Sequence, residues 1–375
     1  MSITPTRVRL LDRRIIAGLQ ADGRASWTEI AERAGTSVAT ATRRGQDLLA
    51  SGAVRVGVSS DINSPGAADL FLLRIGCAAG TQMQVARALA QRTDLRFLCL
   101  VTGGCDLLAE LVCQKAESLH GRLINEIQAV EGVEVCVSDL VLHTYKVSQN
   151  WAQRLISEDE PSRTQDAEPH ECAPSHFDET DLLILDELRA DGRASLRSVA
   201  EALGVNESTV RRRFDAMRER GCAWVLTLVA ASALGFESEI ILNISVHPSR
   251  LDDVARELAS YVGVRYLAAT LNCSLICEVI MPTTDDVYTF VTKGLGKIDG
   301  VQSWVANVEL LTVKRGFLET PWWSGVSDAP VTSAQPDGIG AGPSSGDGDE
   351  REGACHEDVR DGLPTVHQAQ AVQRQ

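Results

Sequence analysis

The feature that most constrains the fold is an internal duplication. The hexapeptide ADGRAS occupies Ala21–Ser26 and again Ala190–Ser195, 169 positions later, and the sequence around both copies aligns without gaps for about 45 residues. Solenoid units repeat every 20 to 50 residues or so, so a period this long means that one whole module was copied and fused. The chain therefore contains two versions of one architecture, and every motif can be checked twice.

The net charge of −15 is confined to two stretches of the 375-residue chain. Residues 157–181 carry nine acidic residues and one Arg, and residues 326–375 carry nine acidic residues and three Arg, which leaves the remainder near −1. Acid mixed with Pro, Ser and Gly is typical of segments that cannot bury an apolar core. We expect an acidic linker over 147–176 and a disordered acidic tail over 325–375, neither of which argues against nucleic-acid binding.

Each copy begins with a pattern of three short helices. Apolar residues of helical period run into an Asp-Gly pair, and Ser26 and Ser195 then stand at the start of a second helix. Ser26 is followed three residues later by Glu29, the spacing of a capping box. Gly35 and Gly204 end these helices, and Ser37 and Asn206 can cap a third helix. The order predicts winged helix-turn-helix domains over 7–62 and 177–232.

The third helix of each copy is where DNA would be read, because a helix fits the major groove and presents its N-terminal side chains to base edges. The exposed candidates in the first copy are Ser37, Thr40, Thr42, Arg43 and Arg44. Those in the second copy are Asn206, Ser208, Thr209, Arg211, Arg212 and Arg213. Gly45 stands where the second copy has Phe214, so we expect an unfilled core contact and a weaker first reader; a solvated helical hairpin without DNA binding is the alternative.

After each helical part the period changes to two, with two amphipathic helices between strands. The order βαββαβ predicts a ferredoxin-like domain over 67–146 and another over 237–318, each with helices on one sheet face and the other face open to a partner. The second helices are expected over Glu117–Val130 and Asp286–Ile298. The fold class is therefore α+β, in two tandem copies.

This architecture resembles the Lrp/AsnC family of transcriptional regulators over about residues 8–146 and 177–318. The resemblance depends on Leu11-Asp12 with Asp22-Gly23-Arg24, on Ser208–Arg213, and on Thr102–Leu108. It implies a double-stranded DNA partner, a homodimer or higher homo-oligomer, and a small-molecule effector such as an amino acid. The two readers differ at most exposed positions, so we expect an asymmetric operator.

The resemblance also implies an effector pocket near the glycine turn of the second domain. Gly103 and Gly104 would expose backbone amides to a carboxylate, and Asp106 could accept from an ammonium group. The second copy reads Thr270–Ser274 without the glycines or the acid. One pocket per chain is expected, with an ordinary β-turn as the alternative.

Two other function classes stay open. The chain could be a co-regulator that pairs with relatives without binding DNA, or an enzyme resembling the sirohaem decarboxylases that share this architecture. Strands 95–102 and 264–271 contain Arg96, Arg265 and Tyr266 but no His. We therefore predict no catalytic residue, metal site or cofactor, and a cytoplasmic protein with reduced thiols and no membrane segment. The Trp322-Trp323 pair is expected to pack against the second effector domain, or to contact another subunit.

Overall fold

A computed structural model describes residues 9–60, 68–114, 117–148, 151 and 177–323. The expected tail over 325–375 lies outside these residues, as does the expected linker apart from Val147, Ser148 and Trp151. No helix in the described ranges is long and apolar enough to cross a bilayer.

Each copy opens with the three predicted helices. The first copy has α1 (Leu10–Ala21), α2 (Trp27–Ala34) and α3 (Val38–Ala50), and the second has α6 (Glu179–Ala190), α7 (Leu196–Leu203) and α8 (Glu207–Glu219). The capping box is confirmed, since Ser26 N donates to Glu29 Oε2 at 2.8 Å and Glu29 N donates to Ser26 Oγ at 3.2 Å. Gly35 and Gly204 end α2 and α7 with φ of 66° and 67°, a conformation that glycine adopts without strain.

One expectation for the first reader is wrong. Gly45 does not leave an empty contact, because the indole of Trp27 fills the place that the Phe214 ring takes in the second copy. A methyl group added at Gly45 would lie 2.1 Å from Trp27 Cζ3. Trp27 occupies the position of Leu196, so the pair Trp27 and Gly45 replaces the pair Leu196 and Phe214. In each copy one large ring fills this part of the core, from α2 in the first copy and from α8 in the second.

The strand after each reading helix pairs with its counterpart in the other copy. Strands β1 (Val54–Ser60) and β6 (Ala223–Val229) are antiparallel, and Gly57 pairs with Leu226, its own equivalent 169 residues later. The wing expected inside each module is therefore a two-stranded sheet shared by both modules. A single strand in each copy would leave a row of backbone N–H and C=O groups without hydrogen bonds, and the strand of the other copy pairs with them.

Both ferredoxin-like domains are present with the expected order of elements. The first contains β2 (Ala68–Cys77), α4 (Gln82–Ala90), β3 (Leu95–Val101), β4 (Leu107–Gln114), α5 (Gly121–Ile127) and β5 (Val133–Val147). The second contains β7 (Ser238–Val246), α9 (Leu251–Ser260), β8 (Val264–Thr270), β9 (Ser274–Met281), α10 (Thr284–Thr289) and β10 (Val301–Arg315), followed by the short β11 (Leu318–Glu319). The second helix of each domain differs from the expectation: α5 is wound as a π-helix, and α10 continues as a π-helix over Phe290–Gly294.

The two domains exchange the ends of their last strands. The first half of β5 pairs with β2 and its second half with β8, while β10 pairs first with β7 and then with β3. Eight strands thereby close into one hydrogen-bonded ring. The faces of the two sheets that lie away from the helices meet in a shared apolar cluster, in which Leu72 and Leu108 accompany Ile241 and Ile276.

The crossing of β10 corrects the expectation for the tryptophan pair. Trp323 is 2% exposed and lies in the core of the first effector domain, beside Val313 and Leu98, not in the second. Trp322 contacts a small cluster of Leu226, Leu228 and Leu318. The reason is that the second half of β10 pairs with β3 of the first effector domain. The residues that follow β10 therefore lie against that domain.

Candidate nucleic-acid interface and ligand sites

The N-terminal halves of α3 and α8 present the predicted reader residues on the surface. Ser37, Arg43, Asn206, Ser208, Arg211 and Arg212 are exposed, whereas Thr40, Thr42, Arg44, Thr209 and Arg213 are half-buried. Ala41 and Val210 are fully buried, as their inward-facing positions predicted. Ser37 caps α3 by accepting from Thr40 N at 3.2 Å, but the Asn206 side chain makes no such bond. Asn206 is therefore not the side-chain cap that its position suggested.

Two of the reader arginines are held inside their own module. Arg44 Nη1 lies 2.7 Å from Asp12 Oδ1, and Arg213, its equivalent, lies 2.6 Å from Asp178 Oδ2 and 3.0 Å from Asp181 Oδ1. These ion pairs tie the reading helix to the first helix of the same module. Both guanidinium groups are less than a third exposed.

The other arginines are more available. Arg211 makes an exposed pair with Glu207 at 2.7 Å, and Arg43 lies 3.6 Å from Asp47. An exposed ion pair one helical turn apart contributes only a few tenths of a kcal/mol, roughly 0.3–0.5. A phosphate can therefore replace the carboxylate partner of either arginine. Arg212 makes no ion pair with any residue of the described ranges.

The repeated Asp-Gly-Arg motif joins the two readers. Arg24 Nη2 donates to Ala194 O at 2.9 Å, and Arg193 Nη2 donates to Ala25 O at 3.0 Å, so each copy's arginine holds the other copy's motif. The Arg193 guanidinium also stacks 4.4 Å from the Trp27 ring, and the Arg24 guanidinium lies 5.7 Å from the Phe214 ring. The exchange relates the two helix-turn-helix units by a local two-fold axis.

The glycine of each motif is needed for this contact. A methyl group at Gly192 would lie 2.8 Å from Gly57 Cα, and one at Gly23 would lie 2.7 Å from Val225 Cγ1. Gly192 N also donates to Val56 O at 2.9 Å. Only a residue without a Cβ allows the turn of one copy to approach the shared sheet so closely.

The glycine turn of the first effector domain lies where that domain meets the second. Thr102 N donates to Val308 O at 2.9 Å, and Gly103, with φ of 100°, lies against the Asn307 amide. Asp106 is held within its own domain: its Oδ2 accepts from Cys77 N at 2.7 Å and its Oδ1 from Gln82 Nε2 at 3.2 Å. A methyl group added at Gly104 would meet no atom within 4 Å. An effector at this turn would have room on that side of Gly104 and would meet an Asp106 carboxylate that is already engaged.

A buried group of paired charges lies between the effector sheets and β6. Arg96 and Glu110 form one pair at 2.6 Å, and their equivalents in the second copy, Arg265 and Glu278, form another. The second copy adds Arg315, which donates to Glu278 at 2.7 Å, together with Glu239 and Glu309. The three carboxylates of the second copy lie within 4.8 Å of one another, but the Arg265 and Arg315 guanidinium groups are paired with them and disfavour a metal cation there.

Burial and pairing divide the carboxylates of this group. Burial would raise the pKa of Glu278, but Arg265 and Arg315 outweigh it and hold the pKa well below its usual range. Burial, reinforced by the neighbouring Glu239, raises the pKa of Glu309 to about 8. Apart from Glu309, the group contains three guanidinium groups and three carboxyl side chains, those of Glu110, Glu239 and Glu278.

The fold defines a class of protein with two helix-turn-helix units and two ferredoxin-like domains in one chain. The model of the AsnC-type helix-turn-helix domain matches residues 10–49 and 177–218, and that of the Lrp/AsnC ligand binding domain matches residues 71–151. The HTH-type transcriptional regulator LrpA of Pyrococcus abyssi is 32% identical over 126 residues, which cover 33% of this chain and 89% of that protein. The chain belongs to the Lrp/AsnC family of transcriptional regulators.

Two further similarities bear on the duplication. An uncharacterised HTH-type transcriptional regulator of Pyrococcus furiosus is 33% identical over 143 residues, covering 38% of this chain and 97% of that protein, so a single-copy relative has the length of one of the two copies. The crystal structure of the siroheme decarboxylase NirDL aligns with 85% of this chain and 98% of its own, with a TM-score of 0.54 and 13% identity. That similarity concerns the fold alone, and it extends over both copies.

Sequence reasoning missed the buried charges and the exchange of arginines. In the sequence the strands that contain Arg96, Arg265 and Tyr266 are distinguished only by the absence of His. A strand pattern does not show that two strands from different copies face each other. The repetition of Arg24 as Arg193 was the available signal. A surface arginine conserved between two diverged copies, beside a glycine, points to a contact between them.

Proposed function

We propose that this protein binds double-stranded DNA through α3 and α8 and regulates transcription in response to a small molecule. The observation that carries the proposal is the locked pair of readers, because the reciprocal contacts of Arg24 and Arg193 fix two exposed reading helices about one local two-fold axis. Lrp/AsnC relatives named as transcriptional regulators are single-copy proteins, and here one chain supplies both halves.

The ion pairs suggest which side chains contact DNA and which ones position the reading helix. Arg43, Arg211 and Arg212, with Ser37, Thr40, Thr42, Asn206, Ser208 and Thr209, would contact phosphates and base edges. Arg44 and Arg213 would act as positioning residues that set the angle of the reading helix. Because the contacting side chains differ between the copies, the favoured operator has two unlike half-sites.

The test is a mobility-shift titration of DNA from upstream of the protein's own coding sequence, at two salt concentrations. Arg211→Ala and Arg212→Ala together should weaken binding and reduce the slope of log affinity against log salt by about one for each lost phosphate contact. Arg256→Ala is the matched control, because Arg256 pairs with Asp252 one turn away on an effector-domain helix, as Arg211 pairs with Glu207. Equal losses for both variants, or no retardation by the parent protein, would contradict DNA binding by α8 and favour the co-regulator role.

For the effector, we propose a site at Gly103, Gly104 and Asp106, between the two effector domains. Backbone amides at Gly104 suit a carboxylate, and an amino acid is the chemistry that the family resemblance implies. Amino-acid pools added to the same titration should shift the DNA affinity, and Gly104→Val should abolish that shift while leaving the affinity without amino acids unchanged. A shift that survives Gly104→Val would place the effector elsewhere.

A further inference from the structure

A cavity of about 120 Å³ lies beneath β6, between the two readers and the effector sheets. Cavities of this order, when apolar, bind molecules the size of benzene. The walls carry five aromatic side chains, namely Phe97, Trp151, Trp224, Tyr266 and Trp322. The paired charges described above, except Glu309, form the charged part of the wall, and the cavity is separate from the turn at Gly103.

Each guanidinium group of the wall is already paired and stacked. Arg96 lies 5.7 Å from the Tyr266 ring, Arg265 lies 5.5 Å from the Trp151 ring, and Arg315 lies 4.7 Å from the Phe97 ring. Their carboxylate partners Glu110 and Glu278 are buried with them. A ligand that brought a net charge into this wall would have no counter-ion there, and burying an unpaired charge is costly.

Arg265 Nε is a donor of the wall that has no acceptor among the described residues. The Arg265 side chain is only 5% exposed, and its Nε makes no hydrogen bond, although its Nη2 donates to Glu239 at 2.8 Å. Leaving a buried donor without an acceptor is unfavourable, and a ligand that supplies an acceptor removes this cost.

We propose that this cavity binds a net-neutral, ring-sized organic molecule that carries one hydrogen-bond acceptor. The site would be a second small-molecule site in the chain. Trp224 and Leu226 of β6, the strand shared by the two readers, form part of its wall. Any effect of the ligand on operator affinity rests on the proposed DNA-binding function; the binding itself does not.

The test is isothermal titration calorimetry of the full chain at pH 7, without DNA, using phenol, benzoate and benzylammonium as probes. Phenol should bind saturably, at least about tenfold more tightly than either charged probe, a difference of about 1.4 kcal/mol. Absence of saturable phenol binding, or tighter binding of a charged probe, would overturn the proposal. Since no DNA is present, failure of the proposed function leaves this result unaffected.

Two variants place the binding in this cavity. Ala230→Leu fills part of the wall and should weaken phenol binding at least about tenfold, whereas Ala259→Leu, at a half-buried alanine of α9 away from the cavity, should not. Glu110→Gln leaves the Arg96 guanidinium without its carboxylate partner and should shift the preference from phenol toward benzoate by about tenfold. Phenol binding unchanged by Ala230→Leu, or a preference unchanged by Glu110→Gln, would each overturn the assignment.

Discussion

The two readers solve one packing problem in opposite ways. In the second copy the large side chain, Phe214, comes from the reading helix α8 and meets the smaller Leu196 of α7. In the first copy the large side chain, Trp27, comes from α2, and the reading helix provides Gly45. Both rings are then covered by an arginine from the opposite copy. The comparison shows that the fold fixes the volume and the ring at this place, but not which helix supplies them.

The largest effect is expected from removing the ring of the second copy. Phe214 is 1% exposed, so Phe214→Ala should lower the free energy of unfolding by about 3–5 kcal/mol. Urea denaturation followed by circular dichroism measures it. The double variant Leu196→Trp with Phe214→Gly recreates the first copy's solution and should recover part of the loss. If the double variant is less stable than Phe214→Gly alone, the two solutions are not interchangeable.

A pH-dependent difference should separate the two effector domains. Glu309 of the second copy corresponds to Val141 in the first, and its pKa of about 8 in the folded protein exceeds the usual value of about 4.3 for an unfolded chain. Between those values the folded state holds the extra proton, so this group's contribution to stability falls as pH rises. Relative to the parent protein, Glu309→Gln should therefore gain stability from pH 5 to pH 8.5 in urea titrations. A parallel pH dependence of the two proteins would contradict a protonated Glu309.

Gly45→Ala tests the first copy. Alanine in a helix interior usually stabilises by about 1 kcal/mol relative to glycine. Here the added methyl group collides with Trp27, so we expect a loss of about 1–3 kcal/mol in thermal or urea unfolding. In a Trp27→Leu background the same substitution should become neutral or stabilising. A stabilising Gly45→Ala in the parent protein would show that the indole can move away at little cost.

The smallest expected difference concerns the two exchanged arginines. Both donate to two carbonyl groups, but Arg193 stacks more closely on Trp27 than Arg24 does on Phe214. Arg193→Met should therefore cost about 0.5–1 kcal/mol more than Arg24→Met. Unfolding of the two single variants and the double variant would measure this, and equal costs would mean that the closer stacking of Arg193 on Trp27 adds nothing to stability.

The sequence allowed most elements of the fold to be predicted, because helix caps and strand periodicity are local signals. The capping box at Ser26 and the glycine stops at Gly35 and Gly204 are examples. Contacts between the copies could not be predicted in this way. The pairing of β1 with β6, the crossing of β10 to β3 and the burial of Trp323 in the first domain depend on residues more than 150 positions apart, and their side chains follow the same alternation whichever strand they pair with.

The candidate site could likewise be predicted only where its signals are local. The inward positions of α3 and α8 follow from helical period, and Ala41 and Val210 are buried as predicted. Of the eleven positions expected to be exposed, six are exposed and five are half-buried. The internal engagement of Arg44 and Arg213 was not visible, because Asp12 and Asp181 lie on another helix. The charges around the cavity were hidden for a different reason: in a strand, Arg96 and Glu110 are ordinary alternating residues until a second sheet covers them.

The reciprocal contacts of Arg24 and Arg193 lie within a single polypeptide, and this changes how the protein would respond to its own abundance. Two separate subunits must first find each other, so at low copy number the amount of paired reader falls with the square of concentration. Two readers joined in one chain meet at an effective concentration in the millimolar range, independent of expression level. Occupancy of a target would then rise in direct proportion to the number of molecules, even when a cell contains only a few.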